Sequence, residues 1–160
     1  MTDTQPTNFL HIGLAALVAP GLKVVFCERD PLDTAWACYG RRFADPALAF
    51  VATPQGIGRY LAGMRRLMRH WAQAAPIQIM TVRYEDLVRR TRPTVEGVLR
   101  HIGLEWHDAC ADYADPGAAD LAAAPVLTGA VDDREIGRGI PYRHHLAQVE
   151  AILSVAPDGG

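Results

Sequence analysis

Two short apolar runs, "LKVVFC" at 22–27 and "IQIMTV" at 77–82, are each followed within a few residues by charged groups and a helix-like segment. The first is apolar apart from Lys23 near its start, with Val24, Val25 and Phe26 at its centre, the pattern of a largely buried strand. The second has the same β-branched and apolar character. Between them lie two helix-like stretches, and more helix follows the second run. A chain that alternates this way predicts an α/β fold with a parallel sheet. Two strands are too few for such a sheet, so the expectation is a truncated fold, either incomplete or completed by a partner, a complementing segment or self-association.

The helices can be placed from their own signals. Phe9, Ile12, Leu14, Ala16 and Leu17 give a broad apolar face from Asn8 onward, stopped by Pro20-Gly21. Asp30-Pro31-Leu32-Asp33 reads as a helix start, with Asp30 as cap, Pro31 at the first helical position and Asp33 at the positive end of the dipole. That helix is expected to run to about Arg42, and residues 45–54 to form a loop. Ile57, Tyr60, Leu61, Met64, Leu67, Met68 and Trp71 mark one face of a longer helix, with Arg59, Arg65, Arg66 and Arg69 as a solvated side. "EDLVRR" turns back into helix, Val95, Val98, Leu99 and Ile102 belong to another closed by Gly103, and "YRHHLAQVEAILSVA" is a last amphipathic helix. Residues 109–130 are Ala-rich and poorly patterned.

Composition narrows the function classes. The 160 residues are 49% hydrophobic and 21% charged with a formal net charge of −2, which gives no bulk attraction for nucleic acid or a membrane surface. The longest apolar stretch, Ile12 to Pro20, is too short to span a bilayer and lacks the flanks of a signal peptide. Three widely spaced cysteines, Cys27, Cys38 and Cys110, suggest reduced and buried thiols and a cytoplasmic location. The six histidines make no metal-ligand spacing, and the pair His144-His145 falls on the last helix. No nucleophile-base arrangement stands out. The chain is expected to be one domain, 1–160, in partial form.

In open parallel sheets, ligands gather beyond the C-terminal strand ends. The first strand ends at Cys27-Glu28-Arg29 and the second at Arg83-Tyr84. If the strands are neighbours, Arg29 and Tyr84 open onto one rim beside helix N-termini that favour anions. A guanidinium can donate two parallel hydrogen bonds to a phosphate, and a tyrosine can offer a ring to a nucleobase. The alternative is structural: Arg29 pairs with Asp33 or Asp86, and Tyr84 packs on the sheet edge.

The order of several motifs decides further. "DTQPTNFLHIGL", "KVVFCERDP", "LDTAWACYG", "RLMRHW", "VRYEDLV", "GLEW" and "EIGRGIPYRHHL" succeed one another along most of the chain. Together they resemble the sulfotransferases that use 3′-phosphoadenosine 5′-phosphosulfate (PAPS), most closely the bacterial type linked to tetratricopeptide repeats, with tyrosylprotein sulfotransferases as relatives. The resemblance implies a P-loop-like fold of which this chain carries the C-terminal portion. It implies a nucleotide sulfonate donor as co-substrate and an acceptor hydroxyl of unknown identity. It also makes Arg29 the contact to the 3′-phosphate, Tyr84 an adenine neighbour, and Gly137 and Arg138 part of the loop closing over that phosphate.

The departures from the family pattern are equally specific. A phosphate-binding serine is replaced by Ala37, the loss of a hydrogen bond worth ~1.5–3 kcal/mol to a charged phosphate. An early lysine is Thr4, and the tryptophan of the closing loop is Gly139. The Gly-rich loop that cradles the 5′-phosphosulfate is missing; "QGIGRY" at 55–60 lies inside a helix pattern. No catalytic base is assignable. Two expectations stand: a sulfotransferase whose front half lies elsewhere, or a degenerate, inactive remnant that binds a nucleotide weakly or serves as an interaction module.

Overall fold

A computed structural model describes residues 2–39, 46–110 and 133–155 of the chain. Within them the elements run α1 (Ile12–Val18), β1 (Lys23–Glu28), α2 (Pro31–Tyr39), α3 (Pro54–Ala74), β2 (Gln78–Arg83), α4 (Tyr84–Arg89), α5 (Thr91–Ile102) and α6 (Ala147–Val155). Short 3-10 turns cover Asn8–Leu10, Pro46–Ala52, Asp108–Cys110, Asp133–Glu135 and Ile140–Tyr142. The expected loop before α3 is thus partly a 3-10 helix, because Val51 within it is drawn into the core. The expected continuation of α2 to Arg42 and the Ala-rich stretch lie largely or wholly outside the described residues.

β1 and β2 pair in parallel, with Val24 opposite Ile79 and Glu28 opposite Arg83. The intervening α2 and α3 supply the long crossover that a parallel pair requires. The expectation that the strands are buried does not hold: Val82 is their sole buried residue, and Cys27 is exposed. The reason lies in where the core sits. Leu32, Ala35, Val51, Ile57, Leu61, Leu146 and Val149 form one buried cluster among α2, α3, α6 and the turns beside them. The sheet stands at the side of this helical core, so a two-strand ladder covers few of its own side chains. Cys38 and Cys110 are half-buried.

Local chemistry explains the element boundaries near the rim. The Asp30 carboxylate accepts the backbone N–H groups of Leu32 and Asp33 at 2.9 and 3.1 Å, capping α2. Thr53 caps α3 through its hydroxyl, which accepts the Gly56 N–H at 3.0 Å, and Pro54 follows at the first helical position. Gly103 ends α5 in the left-handed conformation at φ 82°. At Gly58 a Cβ would lie 3.2 Å from the Val149 Cα, so glycine permits α3 and α6 to approach closely. The last helix starts later than its pattern suggests: His144 and His145 precede α6 and are exposed.

Candidate functional site

The C-terminal ends of β1 and β2 lie side by side, and the two following segments are tied together across them. Glu85, in the first turn of α4, accepts the Asp30 N–H at 2.7 Å through Oε1 and lies 3.3 Å from Arg83 Nε through Oε2. Burial works against its charge, but the amides of Asp30 and Glu85 itself and the Arg83 guanidinium outweigh it. The carboxyl is therefore held below its ordinary value of 4.5. This contact fixes the start of α2 against the end of β2.

Arg29 leaves β1 at this rim, with its side chain 22% exposed. Its Cζ lies 4.7 Å from the centre of the Tyr84 ring, a cation–π contact. Its Nη2 donates to the backbone carbonyl of Glu135 and lies 3.8 Å from that residue's Oε2. Its Nε is buried and has no hydrogen-bond partner among the described residues. A buried guanidinium N–H without an acceptor is costly and unusual. Neither Asp33 nor Asp86 pairs with Arg29: the first binds backbone amides and the second holds Arg90 at 2.7 Å.

Arg138 reaches the same place from the other end of the sequence. Its Nη1 donates to Glu135 Oε1, so one carboxylate bridges the two guanidiniums. The loop carrying both residues is fastened from below by Asp33, which is 1% exposed. The two Asp33 oxygens each accept a backbone N–H at 2.7 Å, from Gly137 and from Gly139. Gly137 takes a left-handed φ of 80°, which favours glycine. At Gly139 a Cβ would stand 2.4 Å from the Leu32 carbonyl carbon, so no side chain fits there. Asp33, expected as a dipole-facing residue of the helix start, is in fact the clamp of the Arg138 loop.

Arg29, Tyr84 and Arg138 thus meet at one rim, although they come from three separate segments. Asp33, Glu85 and Glu135 were missed as parts of it. Glu85 had a signal in the "YEDLV" motif, Asp33 in its place three residues after a cap, and Glu135 as the first residue of "EIGRGIPYRHHL", although nothing in that motif pointed to Arg29. Ala37 lies on α2, half-buried, and "QGIGRY" lies within α3. Arg65 is not purely solvated, since it pairs with Glu28 at 3.2 Å. Arg59 and Arg66 rim a hollow of about 510 Å³ floored by Phe9, Leu10, Met64 and Leu67. Among the described residues no group of three or more His, Cys, Asp or Glu could hold a metal ion, and no helix is long and apolar enough to cross a membrane.

A mixed helix–strand chain with a small parallel sheet and a basic rim beyond its strand ends is the setting in which comparison with known proteins becomes informative. The sulfotransferase family matches residues 1–108, and the chain belongs to that family. It is also similar to a protein of Aquifex aeolicus (strain VF5) described as uncharacterized, with 30% identity over 167 residues. That alignment covers 99% of this chain but 21% of the relative, so the chain spans about a fifth of that protein's length. No solved structure matches the chain.

Proposed function

We propose that this chain forms the nucleotide-binding C-terminal portion of a P-loop-like sulfotransferase domain akin to the bacterial tetratricopeptide-linked type. In this reading the co-substrate is PAPS and the acceptor group is a hydroxyl. The observation that carries the proposal is Arg29: a guanidinium at the parallel-sheet rim, over Tyr84, with a buried Nε that has no acceptor among the described residues. The residues present fit the ribose 3′-phosphate end of the donor. Arg29 would hold the phosphate through its Nε and Nη groups, with Arg138 above it on the clamped loop. One face of Tyr84 already carries Arg29, so the ring would serve the nucleotide chiefly by orienting that guanidinium. When bound, the donor would supply an activated sulfonate whose transfer breaks its S–O bond to the 5′-phosphate, releasing adenosine 3′,5′-bisphosphate, and forms a new S–O bond to the acceptor oxygen as that hydroxyl gives up its proton to solvent. The contribution of these residues is binding and orientation.

A second reading, a nucleotide-binding or interaction module without transferase activity, is favoured by Ala37 and Thr4, which depart from the family pattern at contact positions. Titration of the chain with adenosine 3′,5′-bisphosphate, followed by calorimetry, separates the outcomes. Micromolar binding lost in Arg29→Ala supports the site within a working domain. Millimolar binding with the same loss favours the weak module. Binding that is unaffected by Arg29→Ala, or absent at millimolar ligand, refutes the nucleotide site.

A further inference from the structure

The carboxylate of Glu135 stands between the two guanidiniums assigned to the phosphate. Its Oε2 is 3.8 Å from Arg29 Nη2, and its Oε1 accepts from Arg138 Nη1. Of the other acidic groups near the rim, Glu28 and Asp86 pair with Arg65 and Arg90, and Asp30, Glu85 and Asp33 are committed to the backbone. Asp30 caps α2, Glu85 accepts the Asp30 amide, and Asp33 holds the Gly137 and Gly139 amides. Glu135 differs from these last three in two ways. Its side chain is 45% exposed, and its two oxygens lie against the arginines that an incoming anion would need.

We infer that Glu135 is an internal competitor for the phosphate-binding arginines, and that it must swing out for an anion to bind. The inference deepens the proposed function and rests on it for the identity of the ligand. Three features make the exchange possible. The carboxylate is exposed enough to be rehydrated when it leaves, and it leaves behind a backbone carbonyl that still orients Arg29 Nη2. The loop is pinned at Gly137 and Gly139, downstream of Glu135, so the clamp survives the movement. Anion binding then exchanges one set of charge-assisted hydrogen bonds for another rather than adding a new set, which lowers net affinity. This suits a transferase whose donor and spent product carry the same 3′-phosphate. A contact common to both binds them equally, and tight binding there would slow product release without helping the chemical step.

Glu135→Gln tests the inference, because it removes the charge while keeping the side-chain shape and the backbone carbonyl. Wild type, Glu135→Gln and Glu135→Gln/Arg29→Ala are titrated with adenosine 3′,5′-bisphosphate and, separately, with inorganic phosphate. Binding is read by calorimetry and by the arginine Nε–H signals in NMR, with circular dichroism confirming the fold of each variant. The expected result is about tenfold tighter binding in Glu135→Gln for whichever probe binds, about 1.4 kcal/mol, and loss of the gain in the double variant. Tighter phosphate binding without nucleotide binding upholds the competitor and refutes the nucleotide reading. Nucleotide binding that is equal or weaker in Glu135→Gln overturns the competitor while leaving the nucleotide reading intact. If neither probe binds Glu135→Gln, both fall.

Discussion

Asp33 is the residue on which the geometry of the closing loop depends, and its removal has a calculable effect. Its carboxylate is 1% exposed and accepts two backbone N–H groups at 2.7 Å. Hydrogen bonds to a charged group contribute ~1.5–3 kcal/mol each, so the pair is worth about 3–6 kcal/mol before any relaxation. Removing the carboxylate also ends its own burial, and the freed loop can hydrate part of what it loses, so Asp33→Ala should cost about 3 kcal/mol. At a urea m-value of about 2 kcal/mol/M, this corresponds to a midpoint about 1.5 M lower. Asp33→Asn keeps one carbonyl acceptor but sets an NH₂ against the second amide, so it should cost roughly half as much. Hydrogen exchange adds the local readout: protection of the Gly137 and Gly139 amides should collapse in Asp33→Ala even where the helical core stays protected. An Asp33→Ala variant with unchanged midpoint and unchanged protection at both glycines would refute the clamp.

Three further outcomes follow from the same contacts. Gly139→Ala drives a Cβ to 2.4 Å from the Leu32 carbonyl carbon and should destabilise the protein by at least about 1–3 kcal/mol in urea denaturation. Glu85 has its folded pKa lowered, so its contribution is present above its ordinary value of 4.5 and is lost as pH falls through the lower folded value. Stability measured from neutral to acid pH should therefore fall less steeply in Glu85→Gln than in wild type, and parallel curves would contradict the assignment. Arg138 is 51% exposed where Arg29 is 22% exposed, so solvent screens it more strongly. Arg138→Ala should weaken nucleotide binding several-fold less than Arg29→Ala in calorimetry, and equal losses would count against this ranking.

The strands, their parallel pairing and the meeting of Arg29 with Tyr84 were legible because each rests on short-range pattern. An apolar run that ends in charge, followed by a helix start, places a side chain on the rim whatever the rest of the domain does. The cover of those strands was not legible. "KVVFC" reads the same whether its faces meet other strands, helices or solvent, and here the core formed among α2, α3 and α6 instead. The partners of Arg29 were also out of reach. Asp33 and Asp86 were plausible by proximity in sequence or along the rim, but the acid that meets Arg29 is Glu135, 106 residues away. Such a pairing depends on the path of a loop, which no periodicity encodes. Gly139 illustrates the converse: as a departure from the family pattern it looked like a lost contact, yet the close Leu32 backbone leaves no room for a side chain.

The first turn of α2 explains why the charged corner after β1 has the composition it does. Asp30 caps the helix with its side chain and sends its own N–H to Glu85, which ties α2 to the end of β2. Leu32 is buried in the helical core, which fixes the turn from within. Asp33 then accepts the Gly137 and Gly139 amides and so holds the loop that carries Glu135 and Arg138. Four consecutive residues, "DPLD", therefore connect the sheet, the core and the loop within a single helical turn. Arg29 precedes them directly, so its position relative to Tyr84 on one side and Glu135 on the other is set by this turn. A cap and a ligand rim were alternative readings of the corner from the sequence. In the folded chain the cap is what builds the rim, because the same rigid turn that ends the strand's path also orients the guanidinium beside it.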